Sequence, residues 1–97
     1  MAIAVEVNFH GDGATLENYI KSLKILGAIP EGPHPDPDCL FHWVTEAGGG
    51  LRVIDVWTSK EEFEAFVPKV GAASDQLGMP KPQVKYIDVA NYLTAGS

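Results

Sequence analysis

Residues 39–63 read CLFHWVTEAGGGLRVIDVWTSKEEF, and this stretch decides the fold. Two β-rich runs, Cys39 to Ala47 and Leu51 to Thr58, flank Gly48-Gly49-Gly50. Glycine reaches the positive φ that tight hairpin turns require, so the two runs are predicted to pair as antiparallel neighbours. Ser59-Lys60-Glu61-Glu62 follows as a capping box. In that motif the serine hydroxyl accepts from the Glu62 amide and the Glu62 carboxylate returns to the Ser59 amide. A helix is therefore predicted behind it, with Phe63, Phe66, Val67, Val70 and Leu77 as its apolar stripe and Gly78 as its stop. Pro68 removes the hydrogen bond to the Glu64 carbonyl, which predicts a kink or a break.

Upstream, Ile3, Val5, Val7 and Phe9 alternate with Ala4, Glu6 and Asn8, the period of a strand over 2–9. Gly11-Asp12-Gly13 supplies a turn. Leu16, Tyr19, Ile20, Leu23 and Leu26 then recur at helical spacing, with Thr15 placed as N-cap and Gly27 as the end. Ile29 to Asp38 carries four prolines and reads as a stiff, irregular connector. Downstream, Pro80 and Pro82 lead into a last strand over Val84 to Leu93. The order β-α-β-β-α-β is the ferredoxin-like split arrangement: an α+β fold with a four-stranded antiparallel sheet and two helices on one face. At 97 residues, without a repeat or linker, the chain is expected to form one domain over 1–97.

Two helices cover only one face of such a sheet. With Gly48-Gly49 as the turn, the predicted partners are Leu40 with Trp57, His42 with Asp55, and Val44 with Val53. The other face then holds Phe41, Trp43, Ile54 and Val56. A patch of that kind exceeds what soluble monomers normally expose, and a homodimer through the sheet face would bury it.

Seven Lys and Arg stand against 13 Asp and Glu, a formal charge of −6 with no basic run, which argues against nucleic-acid binding. One cysteine excludes an internal disulfide, and no Cys/His quartet for structural zinc can be assembled. The opening lacks a basic signal-peptide region, and no apolar run is long enough to span a membrane. The expectation is a soluble, cytoplasmic protein.

The informative constellation is His42, Asp55 and Trp57. A histidine facing a carboxylate across a hairpin has a fixed tautomer and raised basicity, as a general base requires. Trp57 would add a flat wall, and Tyr19 would bring a phenol from the first helix. Together they predict an apolar cleft between helices and sheet, with a few polar groups converging on a small apolar or aromatic molecule. The same pair can equally be a satisfied polar pair within the core. The alternative is therefore a dimeric ligand-binding or stress-associated protein without catalysis. His34, Asp36, Asp38 and Cys39 cluster in the connector, but no helical or hairpin spacing fixes them as metal ligands, and no metal is expected. Cys39 reads as a small apolar residue.

The run from Val53 to Phe63 followed by Phe66, the Leu40-Phe41-His42 strand and the closing Ile87-Asp88-Val89-Ala90-Asn91-Tyr92 together resemble the dimeric α+β barrel superfamily. Within it they resemble the small proteins related to antibiotic-biosynthesis monooxygenases, over nearly the whole chain. The resemblance implies homodimers whose sheets pack face to face, and for some members cofactor-independent oxygenation of polycyclic phenols. Other members open heme with an Asn on the first strand, a Trp ending the third strand and a His on the second helix. Asn8 and Trp57 match the first two, but no histidine lies between Ser59 and Gly78, so the proximal heme ligand is missing. Trp57 also matches a Trp of the quinol-oxidising members. The implied site has His42 as base, Asp55 orienting it, and Trp57, Tyr19 and Asn8 around the substrate, with no cofactor.

Overall fold

The computed structural model describes residues 1–93. Along them run β1 (Ile3–His10), α1 (Leu16–Ile25), β2 (Cys39–Ala47), β3 (Gly50–Trp57), α2 (Lys60–Gln76) and β4 (Gln83–Asp88). The strands form one antiparallel sheet in the order β2-β3-β1-β4, and both helices lie against one face. This is the ferredoxin-like α+β arrangement expected from the element order. The alternation along β1 is obeyed throughout: Ile3, Val5, Val7 and Phe9 are buried under the helices with Leu51, Val53 and Trp57 of β3.

The hairpin turn sets the register that builds the site. Gly48 and Gly49 have φ of 48° and 82°, the two positive values of a tight two-residue turn, and Ala47 pairs with Gly50. A side chain at Gly50 would place its Cβ 1.8 Å from the Phe9 carbonyl oxygen, so β1 and β3 close only around glycine. His42 pairs with Asp55 and Val44 with Val53, as the turn predicts. At the far end the register departs from expectation: Trp57 pairs with Cys39, not Leu40. A bulge at Leu40 puts one extra residue on β2 and bends the strand where the connector enters.

Each helix begins at the predicted cap. Thr15 Oγ1 accepts from the Asn18 amide at 3.1 Å, and Ser59 Oγ from the Glu62 amide at 3.3 Å. The reciprocal half of the Ser59 box is replaced, because the Glu62 carboxyl lies beside Asp38, whose negative charge raises its pKa. Helix α2 runs through Pro68 without a break. Pro68 and Glu64 are both exposed, so water can take the Glu64 carbonyl that proline leaves without its donor. Only part of the predicted stripe on α1 is covered: Tyr19, Leu23 and Leu26 are half-buried, whereas Leu16 and Ile20 are exposed. Strand β4 ends at Asp88 rather than Leu93, and residues 89–93 have no regular structure.

The uncovered face is ordered by the register. One cross-sheet row is wholly apolar: Phe41, Val56, Ala4 and Ile87. The next, Trp43, Ile54, Glu6 and Lys85, turns from apolar to charged, and the third, Thr45, Arg52, Asn8 and Gln83, is polar. Phe41 is 63% exposed and Trp43 41%, while Arg52 Nε holds Glu6 Oε1 at 2.7 Å beside them.

Candidate functional site

On the helix-covered face four side chains form one hydrogen-bonded chain. Strands β2 and β3 set His42 opposite Asp55, and Trp57 follows two residues on, facing the same way. Asp55 Oδ1 accepts from His42 Nδ1 at 2.6 Å, and Asp55 Oδ2 accepts from Trp57 Nε1–H at 3.0 Å. The carboxylate can only accept, so the His42 proton is assigned to Nδ1 and Nε2 is left with a lone pair. Helix α1 brings the Tyr19 hydroxyl onto that Nε2, with the two rings stacked at 11°. Burial and the nearby Asp55 charge push the Tyr19 phenol up to about 12, so it keeps its proton and donates. The order of donation is Tyr19 to His42 to Asp55, with Trp57 closing the far end.

Trp57 is 1% exposed and Asp55 6%, whereas the His42 side chain is 23% exposed, so the chain reaches solvent at the imidazole. No buried side-chain nitrogen or oxygen among the described residues lacks a partner. An ionised carboxylate this deep is sustained by its two N–H donors.

The connector adds a residue that the sequence reading weighed only as a metal ligand. His34 stands with its ring centre 5.6 Å from His42, 5.4 Å from Trp57 and 5.2 Å from Phe66. Its Nδ1 lies 3.0 Å from the Asp36 amide nitrogen and 3.2 Å from the Asp36 carbonyl oxygen; accepting at the shorter contact leaves the proton on Nε2, and donating at the longer one leaves it on Nδ1. Burial, then the neighbouring His42, lowers its pKa, so the ring is neutral at pH 7. The available signal was Pro33-His34-Pro35-Asp36-Pro37: alternating prolines leave the histidine few conformations, and a stiff segment can hold a side chain in place.

The other candidates fall elsewhere. Asn8 lies on the opposite face of the sheet, paired with Arg52 and Gln83, and does not meet Trp57. The alternation along β1 requires this, since Phe9 and Val7 face inward. Cys39 is buried in the core, its thiol pushed up to about 12 by burial. Asp36 Oδ1 accepts from the Asp38 amide and Asp38 Oδ1 from the Thr58 hydroxyl, which ties the connector to the end of β3. Among the described residues no three His, Cys, Asp or Glu side chains gather as a metal site needs. The open space also differs from the cleft expected between helices and sheet. A groove of about 540 Å³ runs between α1, the connector and α2, lined by Leu26, Pro35, Pro37, Phe66 and Lys69 among others. His42, Asp55 and Trp57 do not line it; Phe66 does, with its ring centre 5.2 Å from that of His34.

Fold and site together define a ferredoxin-like α+β domain carrying a partly buried Tyr-His-Asp-Trp chain. No family profile matches the sequence, and no curated protein does. Solved structures with this fold do. A protein of unknown function from Nitrosomonas europaea superimposes with a TM-score of 0.68 at 15% identity, over 98% of this chain and 96% of that one. A Chloroflexus aurantiacus protein provisionally assigned as an antibiotic biosynthesis monooxygenase gives 0.61 at 19% identity, over 98% and 100%. One from Deinococcus radiodurans with the same provisional assignment gives 0.58 at 15%, over the whole of both chains. The chain thus has the fold of antibiotic-biosynthesis-monooxygenase-like proteins. No helix among the described residues is long and apolar enough to cross a membrane.

Proposed function

We propose that this protein is a homodimeric, monooxygenase-like enzyme that oxidises a small aromatic C–H or O–H acid without an organic cofactor or metal. The observation that carries this is the hydrogen-bonded chain from Tyr19 through His42 to Asp55 and Trp57. His42 is held in the tautomer whose free lone pair points to Tyr19, the arrangement of a general base with a fixed orienting carboxylate. Tyr19 caps that lone pair, so the substrate proton passes through the Tyr19 hydroxyl: Tyr19 gives its own proton to His42 Nε2 and takes the substrate's. The Asp55 carboxylate stabilises the resulting imidazolium without itself being protonated. The substrate anion is then the electron source for dioxygen. For an activated CH₂ the balance is CH₂ plus O₂ to C=O plus H₂O: both C–H bonds break, one oxygen atom forms the carbonyl, and the other leaves as water. The four electrons come from the substrate carbon, so no further reductant enters.

The dimer is proposed from the uncovered face. The apolar row of Phe41, Val56, Ala4 and Ile87, bordered by Trp43 and then by the Glu6–Arg52 pair, has the apolar centre and charged rim of a protein interface. One observation favours a second reading, a dimeric binding protein without turnover: the polar chain is fully satisfied internally and lies apart from the open groove.

The deciding experiment is oxygen uptake with a panel of polycyclic phenols and anthrone-like CH₂ acids, wild type against His42→Ala. Loss of uptake in a dimer that stays folded supports the enzyme. Absence of uptake in the wild type, with His42→Ala costing only about 1–3 kcal/mol of stability, supports the binding protein.

A further inference from the structure

The proposed mechanism uses Tyr19, His42, Asp55 and Trp57 but leaves His34 without a task. His34 is an unusual side chain to leave idle. A proline-rich segment holds it, the Asp36 backbone engages its Nδ1, most closely through the amide, and its ring packs against those of His42, Trp57 and Phe66. Only Nδ1 is engaged. Nε2 makes no hydrogen bond to the described residues, and since no fully buried side-chain nitrogen or oxygen among them is unpartnered, it keeps some contact with solvent. It does so beside the partly exposed His42, with 5.6 Å between the two imidazole centres.

We infer that His34 is a second ligand-contacting residue, whose Nε2–H donates to the oxygen of a bound phenol or enol as that ligand gives up its proton. This rests on the ligand-site reading given above and assigns the group that receives the charge. Removing a proton from a phenol or enol leaves a negative oxygen, and a fixed donor aimed at that oxygen stabilises the anion more than the neutral acid. A neutral imidazole suits this role because it keeps its N–H and cannot compete as an acid beside the base. The charged and titratable groups around His34 are His42, Asp55 and Asp36. Once His42 is protonated, a second cation there would be repelled, so a neutral donor is the form compatible with the reaction.

The test uses p-nitrophenol, whose neutral and ionised forms absorb differently, titrated with pH in the presence of the protein. In the wild type the bound phenol should ionise at lower pH than the free one. His34→Phe keeps the ring and removes the donor, and His34→Leu gives the same comparison if the first variant folds poorly. Both should bind the neutral phenol but bind the phenolate about tenfold or more weakly. His34→Gln, which restores an N–H near the same place, should recover part of the effect. If the donor-free variants ionise the bound phenol as readily as the wild type, the assignment of His34 is overturned while the ligand site stands. If the folded wild type binds no p-nitrophenol, the ligand-site reading is overturned and this inference with it.

Discussion

Trp57 and Asp55 are two residues apart on the same strand, and the indole N–H of one donates to the Oδ2 of the other at 3.0 Å. The other oxygen takes the His42 N–H, so Asp55 sits between two donors and has no acceptor to satisfy. Asp55→Asn replaces one oxygen with an NH₂, which must face either the indole or the imidazole. Meeting the imidazole, it forces the His42 proton from Nδ1 to Nε2 and removes the lone pair that Tyr19 caps. The variant should fold, lose about 1–3 kcal/mol, and lose oxygen uptake far beyond what that destabilisation explains. Urea denaturation beside activity measurements reads both. A variant as active as the wild type would show that the Asp55 carboxylate charge is not needed for turnover.

Tyr19→Phe separates a relay from a simple cap. If the proton travels through the hydroxyl, the variant binds its substrate with nearly unchanged KM and loses kcat by about 100-fold, the scale of one general-base contribution. If the substrate displaces Tyr19 and meets His42 directly, kcat is kept or raised, because one competitor for Nε2 is gone. The phenol, pushed up to about 12, also makes a pH mark of its own. The unfolded chain ionises a tyrosine near pH 10 and the folded chain later, so this group's stabilisation is lost as pH rises from about 10 to 12.

Much of this site could be read before the fold was seen, for identifiable reasons. A two-residue glycine turn fixes pairing over the whole hairpin, so His42 opposite Asp55 followed from Gly48-Gly49 alone. The same arithmetic failed at Leu40, because a bulge depends on how the connector enters, and no local pattern carries that. Asn8 was misplaced by a match of positions, although the alternation of Val7 and Phe9 already sent it to the other face. His34 was legible as a residue and illegible as a neighbour: its position comes from a connector that folds back over the sheet, a contact between segments without shared periodicity. Exposure was the hardest quantity to read. Leu16 and Ile20 have helical spacing yet are each 41% exposed.

The proposed dimer makes a direct prediction at the uncovered face. Trp43→Glu puts a charge at the junction of the apolar row and the Glu6–Arg52 rim, where burial without a partner would be costly. It touches nothing on the helix side. The circular dichroism spectrum should be unchanged, while sedimentation equilibrium should shift from dimer to monomer. A dimer that persists at micromolar protein would place the interface elsewhere.

His34 also predicts a pH dependence of folding. Its folded pKa lies below the ordinary value near 6.5, so the folded state resists a proton that the unfolded chain accepts. Where the unfolded state binds more protons, stability rises with pH. The contribution is therefore fully present above about pH 7 and declines as pH falls through about 6.5, until the folded pKa is reached and both states are protonated. Other groups titrate across the same range, and the comparison that isolates His34 is the difference between wild type and His34→Gln. The variant lacks the titration, so its urea midpoint should fall less than the wild type's between about pH 7.5 and 5.5. Parallel curves would mean that His34 titrates alike in both states, and hence that the ring is not held among Trp57, Phe66 and His42 in solution.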